Sequence, residues 1–425
     1  MIKSNPYIIF FLLFTILSFK NAFAISNSSR GYFKTKIKSY TNEVNHIAGQ
    51  ATQFQFENSL KFNDNYSLTN QLRANSSTLS DDIKSKSETS YKDRFSLSYG
   101  ENFFKLSTEK LVAQIGYQEV IWGEAFGLNY ADFITPKDLR ETIYSDVSET
   151  RFPILLFNSK YFFSNEFYSG SIQVLFSPEP RFSKQLPIDL FIGDLFPVNS
   201  IKVNEEDKKN IFEESEYGGK FSISISGHDI ALFAFNYFDR SPYYTVNNLN
   251  ASLLKLNENH ASIQSFGISY AKTISEFVFR SDLIKTTDKQ INYISGQNLF
   301  HDSSDLDEIL LSIDTPTYNN YSGLVVFGQS TLSNTKHSFV RDSKEQFLIT
   351  KLSKTLENDR SLDLSFTREF SSGGNVFQSQ LNFPLSNTLE LKLGGEFYFG
   401  KDTSNLVHLK KLNNIYITLK NFFQI

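Results

Sequence analysis

The richest group of chemically useful side chains lies between Gly116 and Arg151, a stretch that also holds the single tryptophan of the chain. Acidic and basic side chains are interleaved there with large aromatic ones. The charged groups can face a solute while the aromatic groups pack on a wall, so this stretch can select a solute by charge and size. The residues that we assign to this chemistry are Trp122, Glu124, Asp132, Pro136, Lys137, Asp138, Arg140 and Glu141.

Catalytic and metal-binding patterns are missing from the sequence. The six histidines do not form an H-E-x-x-H pattern, no G-x-S-x-G elbow is present, and the chain has no cysteine. The acidic run from Asp302 to Glu308 lacks the glycine and the spacing of an EF-hand, so we interpret it as a solvated loop. We predict no enzymatic activity, no metal and no cofactor. Barrel enzymes with Ser, His and acidic side chains on the rim are the alternative.

The N-terminus indicates export from the cytoplasm. Lys3 supplies a positive charge, Tyr7 to Phe19 form a short apolar run, and Ala22-Phe23-Ala24 fits a cleavage site. The apolar run is too short for a transmembrane helix. We predict a signal peptide over residues 1–24 and one domain over residues 25–425. The formal net charge of −4 argues against nucleic acid as a partner.

The mature chain alternates apolar and polar residues with a period of two, which is the signature of β-strands. The segments Phe221–Ile225, Leu362–Phe366 and Leu389–Leu393 each place apolar side chains on one face and polar ones on the other. The 43 phenylalanines and 21 tyrosines also favour strands. The fold class is therefore all-β.

Two all-β architectures fit this alternation. In a soluble sandwich the apolar face forms the core, whereas in an outer-membrane barrel it meets lipid. The predicted strands are long enough to cross a bilayer when tilted, and tight turns alternate strictly with long loops. We therefore predict a transmembrane antiparallel up-and-down β-barrel of about 18 strands, with 16 as the alternative count, in the outer membrane of a Gram-negative bacterium.

The alternation also sets the order of strands and loops along the chain. Strands are predicted at 29–40, 51–63, 65–75, 91–106, 111–121, 152–164, 167–177, 216–227, 229–239, 261–272, 274–285, 307–315, 321–331, 344–353, 360–370, 375–383, 388–399 and 413–424. Long loops are predicted at 76–90, 122–151, 178–215, 240–260 and 286–306.

One face of each strand should line the lumen. The charged residues that we place on this wall are Glu57, Lys61, Arg73, Lys220, Glu276, Arg280, Asp282, Asp363, Glu390, Lys392, Glu396 and Lys420. Acidic and basic residues are equally frequent among them, which predicts a wet wall without strong preference for one ion sign. The alternative is the solvated surface of a soluble sheet.

The C-terminal segment 413–425 is a strand with one apolar face. It resembles the signal that the barrel-assembly machinery reads, although the chain ends in Ile425 rather than phenylalanine. The expected partners are this machinery, outer-membrane lipid and lipopolysaccharide, and a small-molecule solute.

The stretch 122–151 becomes the third extracellular loop of the predicted barrel, which is the loop that general porins fold into the pore. Thr135 followed by Pro136 and Asp138 is typical of a helix start, and predicts a short helix from about Pro136 to Tyr144. We expect this loop to enter the lumen and constrict it. The alternative is an external lid.

A resemblance to a known family supports the barrel. The run from Gly116 through Gln118, Trp122, Gly123 and Glu124, followed by Asp132, Pro136, Asp138 and Arg140, resembles the signature of a proteobacterial, porin-like outer-membrane family catalogued as a domain of unknown function. Glu216-Tyr-Gly218, Asp239-Arg-Ser-Pro242, Phe266-Gly-Ile268 and Phe279-Arg280 are similar to its later motifs. The resemblance implies an outer-membrane barrel and no particular activity.

The sequence thus predicts an outer-membrane channel for passive or substrate-preferring diffusion of small solutes, constricted by the 122–151 loop. Two alternatives remain open. The loop aromatics could form a binding site for the uptake of hydrophobic compounds, or the barrel could be plugged and serve a structural or partner-binding function.

Overall fold

The computed structural model describes residues 26–41, 47–79, 94–123, 130–139, 150–185, 200–204, 212–249, 253–296, 298–334, 343–401 and 409–425. The predicted signal peptide lies outside this part of the chain. The strands in the described residues are β1 (Ser26–Tyr40), β2 (Ile47–Lys61), β3 (Tyr66–Leu79), β4 (Arg94–Ser107), β5 (Leu111–Gln118), β6 (Ile154–Ser164), β7 (Tyr168–Ser177), β8 (Ser200–Asn204), β9 (Glu216–Ile225), β10 (His228–Phe238), β11 (Tyr243–Leu249), β12 (Leu253–Asn259), β13 (Ser262–Ile274), β14 (Phe277–Ser295), β15 (Asn298–Asp314), β16 (Tyr321–Leu332), β17 (Lys344–Thr355), β18 (Ser361–Glu369), β19 (Gly374–Pro384), β20 (Leu389–Gly400) and β21 (Asn414–Gln424). Two short 3-10 helices span Glu357–Asp359 and Leu409–Leu412.

Eighteen of these strands form one closed antiparallel barrel. Each barrel strand pairs with its neighbours in chain order, and β1 pairs with β21, with Arg30 opposite Gln424. The prediction of an 18-stranded barrel is therefore confirmed, and each predicted strand overlaps one of the barrel strands. No helix in the described part of the chain is long and apolar enough to span a membrane.

The two faces of the barrel wall follow from the period of two. On β13, Phe266 and Ile268 are about half exposed, whereas Ser265 and Ser269 are fully buried. On β10, the exposed Leu232 lies between the buried Ala231 and Phe233. A band of exposed apolar side chains is stable against lipid, so the exposed face is the outer one and the buried face lines the lumen.

Three strands lie outside the barrel, within the predicted loops 178–215 and 240–260. β11 pairs antiparallel with β12, and β12 pairs parallel with β8. Ile201, Leu254 and Leu256 of this small sheet are fully buried and pack with Leu299 of β15. These two predicted loops therefore contain an ordered apolar core.

The predicted loop 286–306 is wrong. β14 and β15 continue through it as one long hairpin that turns at Gly296, which has a φ of 63°. A register shift between Thr286 and Lys289 interrupts the pairing. The bulge breaks the alternation on which the prediction rests, and the acidic residues of β15 look like loop residues in sequence.

Candidate functional site

The loop that joins β5 to β6 begins with a firmly packed anchor. Trp122 is 1% exposed, and its ring lies 5.7 Å from Phe233 and 5.6 Å from Phe235, which face the lumen on β10. Its indole nitrogen donates a hydrogen bond to Gln173 at 3.0 Å. Lys220 donates to the Trp122 carbonyl at 2.7 Å. The loop therefore turns into the barrel at its first residues.

Glycines on neighbouring strands make room for this anchor. A Cβ at Gly267 would overlap the ring of Phe233, and a Cβ at Gly218 would overlap the ring of Phe235. The two rings can therefore lie flat on the wall and present their faces to Trp122.

Substituting Gly267 with alanine is expected to push Phe233 away from the wall and to loosen Trp122. Overpacking of this kind costs about 1–3 kcal/mol of folding free energy. The measurement is the temperature at which the folded band is lost in heat-modifiable gel mobility, together with the emission wavelength of Trp122. Gly219→Ala is the matched control, because the nearest atom to its new Cβ is the Gln173 carbonyl oxygen at 3.3 Å. Equal stability of the two variants would contradict the packing argument.

A second contact of the loop lies on the side of the barrel opposite β5, the strand that the loop leaves. The ring of Tyr130 meets that of Phe347 on β17 at 5.9 Å, with the planes inclined by 67°. β17 follows β5 after β6, β7, β9, β10, β13, β14, β15 and β16, which is half the circumference of an 18-strand barrel. The loop thus leaves β5, contacts β10 at Trp122 and reaches β17 at Tyr130, so its residues between 130 and 139 lie inside the barrel.

An ion network holds the middle and the end of the loop together. The Asp132 side chain is 1% exposed, and its Oδ2 accepts hydrogen bonds from Arg151 at 2.9 Å and from Lys137 at 3.0 Å. Arg73 on β3 donates to the Arg151 carbonyl and pairs with Glu119, both at 3.0 Å. Burial raises the pKa of Glu119, and the neighbouring Arg73 opposes this shift. The returning end of the loop is therefore attached to the wall at β3.

A buried ion pair fixes the loop to the end of β10. Arg240 and Glu216 are 6% and 0% exposed, and they form two parallel hydrogen bonds of 2.7 and 2.8 Å. Arg240 also donates to the carbonyls of Ile134 at 2.8 Å and Arg181 at 3.1 Å. One guanidinium thus connects the barrel wall, the β5–β6 loop and the β7–β8 connection.

The predicted helix start at Pro136 is wrong. Lys137 and Asp138 form isolated β-bridges with Arg151 and Lys184. The Thr135 hydroxyl donates to the Val120 carbonyl and accepts from the Val120 amide, each at 2.9 Å, so it does not cap a helix. The remainder of the predicted helix, 140–144, lies outside the described residues.

The structure brings together five of the predicted loop residues. Trp122, Asp132, Pro136, Lys137 and Asp138 occupy the region just described. The other three, Glu124, Arg140 and Glu141, lie outside the described residues.

Most of the predicted wall residues lie on inward-facing strand positions. Glu57 accepts a hydrogen bond from Arg30, Arg280 pairs with Asp314, and Asp282 accepts from Ser269. Further pairs on this face are Asp363 with Asn382, Glu390 with Lys392, Glu396 with Gln378, and Lys420 over the ring of Tyr32.

Two of the predicted wall residues lie at a barrel end. Glu276 occupies the turn between β13 and β14, so its placement on the wall is wrong. Glu276 has the same even-numbered spacing as Arg280 and Asp282, but β14 begins one residue after it, at Phe277. Lys61 ends β2 and pairs with Asp64 of the following turn at 2.9 Å.

The sequence prediction missed a row of lysines on β1. Lys34, Lys36 and Lys38 alternate with the exposed Phe33 and Ile37, so they face the lumen. The signal is the pattern K-T-K-I-K, but the outward face of β1 mixes small and apolar residues, so the alternation alone does not show which face is lipid-exposed.

The comparisons with known proteins concern the fold. No protein-family model matches the sequence, and no curated protein matches it. OccAB3 of Acinetobacter baumannii superposes with a TM-score of 0.51 at 9% identity, over 94% of this chain and 100% of that chain. OccAB1 of the same organism gives 0.50 at 7% identity, over 95% and 98%. At these identities the likeness shows a shared barrel fold.

The prediction also missed Arg240 and Glu216 as site residues. Arg240 directly follows the Asp239 that ends an apolar strand, and Glu216 opens its neighbour. A charged pair at the lumen-facing ends of two adjacent strands is a signal that could have found them.

Proposed function

We propose that the protein is an outer-membrane channel for small polar solutes, in which the β5–β6 loop forms the constriction. The observation that carries this proposal is the path of the loop, which leaves β5, contacts β10 at Trp122 and reaches β17, half the circumference from β5, at Tyr130. A loop that runs through the lumen from β5 to the opposite strand β17 narrows the pore. The closed wall with an apolar outer face supports an outer-membrane location.

The test is single-channel conductance of the purified protein in planar bilayers, compared with a deletion of Asn129 to Asp146. We expect the wild type to conduct and the deletion to conduct more, because the loop no longer crosses the lumen. A silent wild type with a conducting deletion would favour a plugged barrel with a structural or partner-binding function. Silence of both variants, in protein shown to be folded by heat-modifiable mobility, would contradict the channel.

Uptake of hydrophobic compounds is less well supported. It requires a predominantly apolar site, whereas Trp122 is almost completely buried against the wall and the cavity beside Phe133 is also lined by charged side chains such as Glu308. The solute that the described residues favour is polar. The membership in the porin-like family, the partnership with lipopolysaccharide, and assembly through strand 413–425 remain part of the proposal, and the exposed apolar face of β21 supports the last of these.

The lysines of β1 give the proposed channel an ion preference. Lys34 lies directly opposite Lys420 on β21. On the flanking strands the lumen-facing Glu57 pairs with Arg30 and Glu390 pairs with Lys392, so the β1 lysines leave a basic excess on this side of the wall. Anions should pass through the channel along the β1 side of the lumen.

Replacing Lys34, Lys36 and Lys38 together by glutamine is therefore expected to shift the reversal potential towards cation preference. The measurement is the zero-current potential in a tenfold KCl gradient across a planar bilayer. The control carries Lys285→Gln and Lys354→Gln, which remove lysines from outward-facing positions. A shift of the same size in both proteins would contradict a specific contribution of the β1 lysines.

A further inference from the structure

A cavity of about 240 Å³ lies between the β5–β6 loop and the barrel wall. Asp132 and Lys137 line it from the loop, Tyr237 lines it from β10, and Glu308 lines it from β15. Its volume is roughly that of eight water molecules in the liquid. A monosaccharide-sized molecule fits this space.

One acceptor beside the cavity has no donor. The Oδ2 of Asp132 accepts from Arg151 and Lys137, but its Oδ1 is buried and receives no hydrogen bond within the described part of the chain. A buried carboxylate oxygen without a donor is costly. A ligand hydroxyl that displaces the groups covering this oxygen would remove the cost.

The cations around the cavity are already engaged. The five N–H groups of Arg240 all point at carbonyl oxygens or at Glu216. Lys289 pairs with Asp239, and Lys137 donates to both the carbonyl and the carboxylate of Asp132. The cavity therefore offers acceptors more readily than donors, which disfavours a carboxylate or phosphate ligand.

The charges of the cavity balance. Four acidic side chains line the cavity or pair with residues that line it, namely Asp132, Glu216, Asp239 and Glu308. Four basic side chains do the same, namely Lys137, Arg151, Arg240 and Lys289. A ligand with a net charge would gain no overall attraction here. A neutral ligand rich in hydroxyl donors matches this environment.

Aromatic rings complete the lining. Phe133 stacks on Tyr237 with centroids 5.1 Å apart, and Tyr130 borders the same cavity. Aromatic surfaces beside carboxylate acceptors suit a molecule with apolar C–H faces and hydroxyl edges.

We propose that this cavity binds a small neutral polyol, of the size of one monosaccharide, with ligand hydroxyls donating to the carboxylates of Asp132 and Glu308 that line it. The inference rests on the proposed channel function, because the lumen gives the solute access to the cavity.

The single tryptophan of the chain reports on this cavity. Trp122 meets Phe133 edge to face at 6.4 Å, and Phe133 lines the cavity. The experiment is a titration of the folded protein in detergent with glucose, followed by Trp122 emission. We expect a saturable change in the millimolar range. Asp132→Asn should weaken the apparent affinity about fivefold, the equivalent of one hydrogen bond.

Two further variants keep the test decisive. Glu308→Gln changes a lining acceptor on β15, on the wall side of the cavity, and it should also weaken glucose binding even if Asp132→Asn fails to fold. Asp363→Asn is the matched control, because Asp363 faces the lumen on β18 and does not line the cavity. It should titrate like the wild type.

Each other outcome overturns the proposal. A response that is linear in glucose, or that Asp363→Asn loses as strongly as the cavity variants do, would remove the binding site. A stronger saturable response to ethanolamine than to glucose would replace the polyol with an organic cation. Because the titration needs no ion current, its failure is distinct from a failure of the channel proposal, which conductance decides.

Discussion

Replacing Arg240 with methionine is expected to lower the folding free energy by about 3–5 kcal/mol, because Glu216 remains buried without its cation. The same change removes the donors to the Ile134 and Arg181 carbonyls, so the β5–β6 loop loses its attachment to β10. We therefore expect a larger and noisier single-channel conductance. Heat-modifiable mobility measures the loss of stability, and planar-bilayer recording measures the release of the loop.

Two further variants distinguish the loss of folding stability from the loss of loop attachment. The double variant Arg240→Met with Glu216→Leu removes both buried charges and should regain much of the stability. It should keep the noisy conductance, because the Ile134 carbonyl still lacks its donor. Arg280→Met breaks the pair with Asp314 on the wall, far from the loop, and should leave the conductance noise unchanged. Wild-type conductance of Arg240→Met would show that the guanidinium does not hold the loop.

Trp122→Ala is expected to have an effect of similar size. Truncating a fully buried tryptophan leaves a void and costs about 3–5 kcal/mol. It also removes the hydrogen bond to Gln173, so the first contact of the loop with β10 is lost. The open-channel current should rise towards that of the loop deletion, and the folded band should disappear at a lower temperature.

The size of the side chain at position 122 should decide how much stability is lost. Trp122→Phe keeps an aromatic contact with Phe233 and Phe235 but loses the indole donor, so it should recover most of the stability. Phe167→Ala is the control for loss of an aromatic side chain, since Phe167 is 78% exposed in a turn. An equal effect of Phe167→Ala and Trp122→Ala would contradict the anchoring function.

The barrel could be predicted because its physical cause is local. Each strand repeats one rule, apolar towards lipid and polar towards the lumen, and the rule is visible in segments such as Phe266–Ile268 without knowledge of any partner. The extension of β14 and β15 to Ser295 and Asn298 does not follow this rule. Beyond the membrane a hairpin has no lipid face, so its side chains carry no period that the sequence reveals.

The site was harder to predict than the fold. The loop was identified from its length and its aromatic residues, but its conformation depends on partners distant in sequence. Arg240 reaches the Ile134 carbonyl from a different loop, and Thr135 bonds to Val120 instead of starting a helix. Such contacts join residues whose proximity exists only after the barrel has closed.

The pairing of β1 with β21 also governs how the protein folds. β1 and β21 are the paired strands that lie farthest apart in the sequence, so we expect this pair to form last. Until then the sheet has two unpaired edges, one at β1 and one at the most recently added strand, and each can capture another chain. We therefore expect closure of this pair to be the slow step in completing the barrel. A chain truncated before Asn414 should remain aggregation-prone even though its remaining strands keep their sequence patterns.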